Sequence, residues 1–156
     1  MPDAARSAAV EDIAKSRLMR AIQDNQFGFD RADPTQAAIG RIAAPIAALP
    51  DDVAKLMGTD LRVVNFSVAD AAKQLGKPER MAFTPDTYLI VQRMLDAGEL
   101  FSDGSRSGSF NLAAYIDGAR WTAALKRTDD GKFVFLKNLR RAKERDLKGD
   151  RWSKLR

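Results

Sequence analysis

The 156-residue chain contains no cysteine and no histidine. Without cysteine there are no disulfides, no thiolate metal sites and no thiol nucleophile. Without histidine there is no Ser-His-Asp triad and no usual zinc ligand, and the side chain that most often exchanges protons near neutral pH is missing. Long apolar runs are missing too: no window approaches the roughly 18 residues that a membrane-spanning helix needs. The opening MPDAARSAAVEDIAK lacks the apolar core of a signal peptide, so a soluble, cytoplasmic protein is expected. No GxxxxGK[ST] occurs, and no GxGxxG follows a strand, which argues against nucleotide-cofactor enzymes. No two carboxylates share a convincing face for a metal. Neither a cofactor nor a metal is therefore expected.

What remains is a folding composition, 45% hydrophobic and 30% charged, at a length that suits one domain. The charge is unevenly placed. Residues 1–119 carry 13 Lys and Arg against 16 Asp and Glu, whereas residues 120–156 carry 13 against 5, so a body of −3 precedes a segment of +8. A cationic quarter on a mildly acidic body is the sequence pattern of a polyanion-binding face.

Helical spacing of Val10, Ile13, Leu18 and Ile22 predicts an amphipathic helix over 8–25. A second, weaker helix is expected after Asp33-Pro34-Thr35, running through Ile39, Ile42, Ala43 and Ile46, with Pro45 as a kink or break. Asp51-Asp52-Val53 opens a short helix after Pro50, closed by Gly58. LRVVNFS (61–67) reads as a strand, and Ser67 with Asp70 resembles a capping box that starts the helix SVADAAKQL. TPDTYLIVQRMLDAG (84–98) predicts a helix with Thr84 as N-cap and Gly98 as its end. The period then changes from helical to two. Strands are expected at 99–101, 109–116, 120–127 and 132–139, with turns at Asp117-Gly118 and Thr128–Gly131. The plan is α+β: N-terminal helices packed on a curved antiparallel sheet of about four strands in the C-terminal half. The final RRAKERDLKGDRWSKLR is too charged to join the core, although Trp152 and Leu155 offer anchors.

The chemistry-bearing residues cluster in the basic hairpin. Lys126, Thr128, Lys137, Asn138, Arg140 and Arg141 fall on two neighbouring strands or their ends, and Lys143 and Arg145 follow. Alternation sets Lys126 opposite Trp121 and Leu125, and it puts Asn138 and Arg140 on one face. Cleavage of RNA needs a base, an acid and charge stabilisation at the phosphorane. Lys and Arg supply the last directly, and a Lys with its pKa depressed by cationic neighbours can supply a base or acid. The alternative is a basic docking face without catalysis.

The strings PDDVAKLMG, LRVVNFSVADAAKQL, FTPDTYLIVQRMLDAGEL and WTAALKRTDDGKFVFLKNLRRA, in that order, resemble the phage-associated nuclease-like domains of the barnase–EndoU–colicin–RelE (BECR) group, found with Mu F-type head morphogenesis proteins. The likeness spans about residues 50–142, leaving 1–48 as a helical N-terminal extension and 143–156 as a basic tail. It implies a barnase-like, metal-independent RNase fold with its site on the open sheet face. By position, Lys73 matches the helix lysine, Lys126 the central-strand basic residue, Thr128 the hydroxyl after it, and Arg140 or Arg141 the closing cation. Lys126 and Arg140 would then stabilise the phosphorane, with Lys73 as base or acid and Thr128 as a positioning hydroxyl. Lys137, Asn138, Arg141, Lys143 and Arg145 would bind the nucleic acid. Relatives often carry histidine after the helix lysine and in the closing strand, where this chain has Gly76-Lys77-Pro78 and Asn138-Leu139-Arg140. The implied setting is the host cytoplasm or the phage virion, and the implied partners are RNA or DNA and phage head or portal proteins. A non-catalytic virion or head-assembly protein of the same fold is the rival reading.

Overall fold

The computed structural model describes residues 43–60, 63–67, 70, 85–143, 147 and 149–156. Its chain order is β1 (Ala43–Ala48), α1 (Asp51–Met57), β2 (Val63–Ser67), a 3-10 turn (Pro85–Leu89), α2 (Ile90–Ala97), β3 (Glu99–Asp103), β4 (Ser109–Ile116), β5 (Ala119–Arg127), β6 (Val134–Arg141) and β7 (Trp152–Lys154). The fold is α+β. One seven-stranded sheet runs β1-β2-β6-β5-β4-β3-β7, antiparallel at every pairing except β2 with β6. No helix among the described residues is long and apolar enough to cross a membrane.

Period-two alternation fixes which face is buried. Phe110, Leu112 and Ile116 of β4, Trp121, Ala123 and Leu125 of β5, and Val134, Leu136 and Leu139 of β6 point to one side. There they meet Val53 and Met57 of α1, Tyr88 of the 3-10 turn, and Val91, Met94 and Leu95 of α2. Gln92, buried in this layer, acts as a clamp: its amide accepts from the Ala48 N–H at 2.7 Å and donates to the Ala48 carbonyl at 2.9 Å, tying α2 to β1. The β4–β5 connection is the expected tight hairpin, with both Asp117 (φ 50) and Gly118 (φ 83) left-handed, as its twist requires.

Several expectations need correction. Residues 43–48 form a strand instead of continuing a helix, so the sheet includes part of the segment read as a helical extension. Pro45 explains why: without an N–H it cannot sit inside a helix, but it is tolerated on an edge strand, here beside the register shift between Pro45 and Ala47. The described helices lie in the middle of the chain, not at its N-terminus, and the C-terminal half contributes five strands where about four were expected, which β1 and β2 extend to a sheet of seven. The helix expected over 84–98 opens as a 3-10 turn before α2; its proposed cap, Thr84, lies outside the described residues, as does the helix expected over 8–25. Gly98 does end α2, donating to the Met94 carbonyl, with extended backbone (φ −85, ψ 175). Part of the basic tail joins the sheet as β7, pairing with β3. Strand addition uses backbone bonds, so a charged sequence suffices at an edge, and charge there discourages pairing with other chains.

Candidate nucleic-acid interface

The face of the sheet turned away from the helices holds a cleft of about 820 Å³. Its walls include Arg106, Lys126, Lys137, Arg140 and Arg151, with Asp103 as the only acidic side chain among the described lining residues. The positions of Lys126, Lys137 and Arg140 follow from the strand pattern. Lys126 sits one residue past core-facing Leu125 and opposite Ser109 of β4. Asn138 lies opposite Ala124, and Arg140 opposite Thr122. A register shift between Ala124 and Leu125 inserts one extra residue in β6, which returns Leu139 to the core while turning Lys137, Asn138 and Arg140 toward the cleft.

Neighbouring groups hold these cations in place. Lys126 Nζ donates to the Ser107 carbonyl at 2.7 Å, beneath the loop between β3 and β4. That loop comes close to β5 at Gly108 (φ +75), where a Cβ would lie 2.7 Å from the Arg127 carbonyl, so glycine is required on two grounds. Lys137 Nζ is 2.9 Å from the carboxylate of Asp70. The Ser67 hydroxyl accepts from the Asp70 N–H at 3.1 Å, so the serine half of the expected capping box forms while the acidic half reaches Lys137.

On the opposite wall, Arg151 Nη2 donates to Asp103 at 2.7 Å and its guanidinium lies 4.7 Å from the centre of the Trp152 ring. The other Asp103 oxygen accepts from the N–H and hydroxyl of Ser105 at 2.9 and 2.6 Å. The Arg151 hydrogen bond, aided by Ser105, holds the Asp103 carboxyl well below the usual carboxylate range. A depressed folded-state pKa stabilises the protein at every pH above the unfolded carboxylate's value of about 4, and that stability is lost as pH falls toward the folded value. Asp103→Asn should therefore flatten the acid side of the stability profile. The check is the urea midpoint of both proteins from pH 7 to pH 2, with convergence expected at the acid end.

The sequence candidates divide. Lys126, Lys137, Asn138 and Arg140 come together in the cleft. Thr128 does not join them: its hydroxyl donates to Asp130 at 2.6 Å and accepts from the Phe133 N–H at 3.1 Å, and it organises the β5–β6 turn. Arg141 lies over the Trp121 ring, 5.4 Å from its centre, on the helix-bearing side. Lys143 is exposed beyond the end of β6. Lys73 and Arg145 lie outside the described residues. Sequence reasoning missed Arg106 and Arg151, which arrive from the β3–β4 loop and from the turn before β7, neither of which alternation in the hairpin reaches.

Chemically, the cleft suits phosphate groups: five cations come from the β3–β4 loop, β5, β6 and the segment leading into β7. Among the described residues, no cluster of three or more acidic side chains is arranged to hold a metal ion. No protein-family model, curated protein or solved structure matches the chain.

Proposed function

We propose that the chain binds RNA through its phosphodiester backbone in the cleft on the open sheet face. The observation that carries this reading is the convergence of Arg106, Lys126, Lys137, Arg140 and Arg151 on one cleft, where Asp103 is the only acidic side chain among the described lining residues. Phosphate contacts supply most of the affinity in such complexes and make it depend on salt. Asn111 and Asn138, also in the wall, add amides that can donate and accept hydrogen bonds. The resemblance to phage-associated nuclease-like domains supports the same ligand class and a place in the phage particle or its host.

Binding is favoured over cleavage by the proton chemistry of the described cleft residues. Lysine and arginine can stabilise a phosphorane, but the one carboxylate among the described wall residues is committed to Arg151 and Ser105. A weakly basic, doubly engaged carboxylate is a poor proton acceptor for a 2′-hydroxyl.

One experiment tests both halves. Purified protein is titrated against a short single-stranded RNA in EDTA at several salt concentrations, and the RNA is then examined for cyclic-phosphate ends. With three to five phosphates neutralised, log K against log salt should fall with a slope of about −2 to −4, and the RNA should stay intact. A flat salt response would remove the binding reading. Cyclic-phosphate products that disappear in Lys126→Ala and Arg140→Ala would replace binding with metal-independent transesterification.

A further inference from the structure

Beside the cleft, the same face of the sheet carries an apolar patch. Phe133 is 50% exposed and Val63 is 37% exposed, two of the few large hydrophobic side chains left in solvent among the described residues. The Phe133 ring lies nearly parallel to that of Phe135, with centroids 6.1 Å apart and planes 27° from one another. β2 and β6 pair through Val64 with Val134 and Asn65 with Phe135. Both valines of the first pair are buried in the core, so Asn65 and Phe135 point to the open face. Val63 and Phe133 each precede the first of these pairs by one residue.

Single exposed apolar side chains are ordinary and need no explanation. This patch differs because it continues into the cationic cleft: Phe135 is the direct cross-strand partner of Lys126. Opposed residues in an antiparallel pair stand about 5 Å apart at Cβ. A chain whose phosphate meets Lys126 therefore brings the attached base within reach of the phenylalanines. Asn65, on the neighbouring strand, offers an amide for a base edge. Aromatic rings beside a cationic track are how proteins hold unpaired nucleotides, because every base has a face to stack. In a duplex those faces are already covered.

We infer that Phe133 and Phe135, flanked by Val63 and Asn65, form a nucleobase-stacking subsite that makes single-stranded RNA the ligand of the cleft. The inference rests on the phosphate-binding reading above and deepens it by naming the substrate class. The test uses three probes at one salt concentration: an eight-nucleotide single-stranded RNA, the same sequence as a duplex, and an abasic oligomer of equal length and charge. The native chain should bind the base-bearing single strand about tenfold more tightly than the abasic oligomer, and more tightly than the duplex. Phe133→Ala, at a half-exposed turn position, should erase that advantage while leaving abasic binding and the salt slope unchanged. Phe133→Trp should restore it. Equal affinity for the base-bearing and abasic single strands would overturn the subsite and leave the cleft standing. Equal weakening of both by Phe133→Ala would do the same, and no binding of any probe would overturn cleft and subsite together.

Discussion

Reversing the charge of Lys126 and Arg140 together should weaken RNA binding about a thousandfold near physiological salt. The two side chains sit on adjacent strands with their ends in the same cleft. Substitution by glutamate changes the local charge by four units. Each unit next to a phosphate is worth roughly 1 kcal/mol at about 4 Å in a water-like dielectric, so the summed loss is on the order of 4 kcal/mol. Two phosphate contacts also disappear, which should make the salt slope shallower by about 1.4. Net charge alone would predict a similar loss wherever the reversals are made. Lys55→Glu with Arg93→Glu, on the helices of the other face, serves as the control and should cost severalfold at most. The measurement is fluorescence anisotropy with labelled single-stranded RNA, with urea midpoints confirming that both double variants fold. Equal losses in the two would show that the cleft has no special part in binding.

Phe66→Ala should produce the largest loss of stability from a single change. Phe66 is fully buried on β2, and its ring packs against Tyr88 of the 3-10 turn at 4.9 Å between centroids, tilted by 44°. It therefore joins an inner strand of the sheet to the segment that leads into α2. Removing a buried phenyl ring costs about 3–5 kcal/mol, and an aromatic pair adds about 0.5–1.5 kcal/mol beyond its area. Against a total of about 5–15 kcal/mol for a domain, the variant should be poorly folded at 37 °C. Phe66→Leu keeps most of the volume and should cost less than half as much. Urea unfolding followed by far-ultraviolet circular dichroism gives both numbers, provided the slope stays constant. A loss under 1 kcal/mol for the alanine variant would mean that the β2–Tyr88 contact is not part of the cooperative core.

The hairpin was the most legible part of the chain. From Ser109 to Arg127 the alternation of apolar and polar residues, punctuated by Asp117-Gly118, specifies both strands and their faces, and it places Lys126 correctly. The strand at 43–48 was hidden because AAPIAA has no polar alternation, and its alanines suit a helix as well as a strand. Only Pro45 spoke against a helix, and a single proline reads equally as a kink. The extra residue in β6 was hidden for another reason. Val134, Leu136 and Leu139 break the period of two, and in sequence that break looks like noise until the pairing with β5 is seen. Arg151 was illegible as a cleft residue because its position depends on Asp103, 48 residues earlier, and no local pattern encodes such a pairing.

The parallel contact between β2 and β6 has a kinetic meaning. The strands from β3 to β6 follow one another as a meander, whose pairings close short loops and therefore form at low entropic cost. β2 reaches β6 across about 70 residues of sequence and pairs with it at two register positions, Val64 with Val134 and Asn65 with Phe135. Such non-local pairings are the slow steps of folding. The meander is therefore expected to assemble first and wait with the edge of β6 unpaired until β1 and β2 dock as a unit. During that interval an open edge rich in valine, phenylalanine and leucine faces other copies of the chain. Refolding yield should then depend on protein concentration even where the finished fold does not.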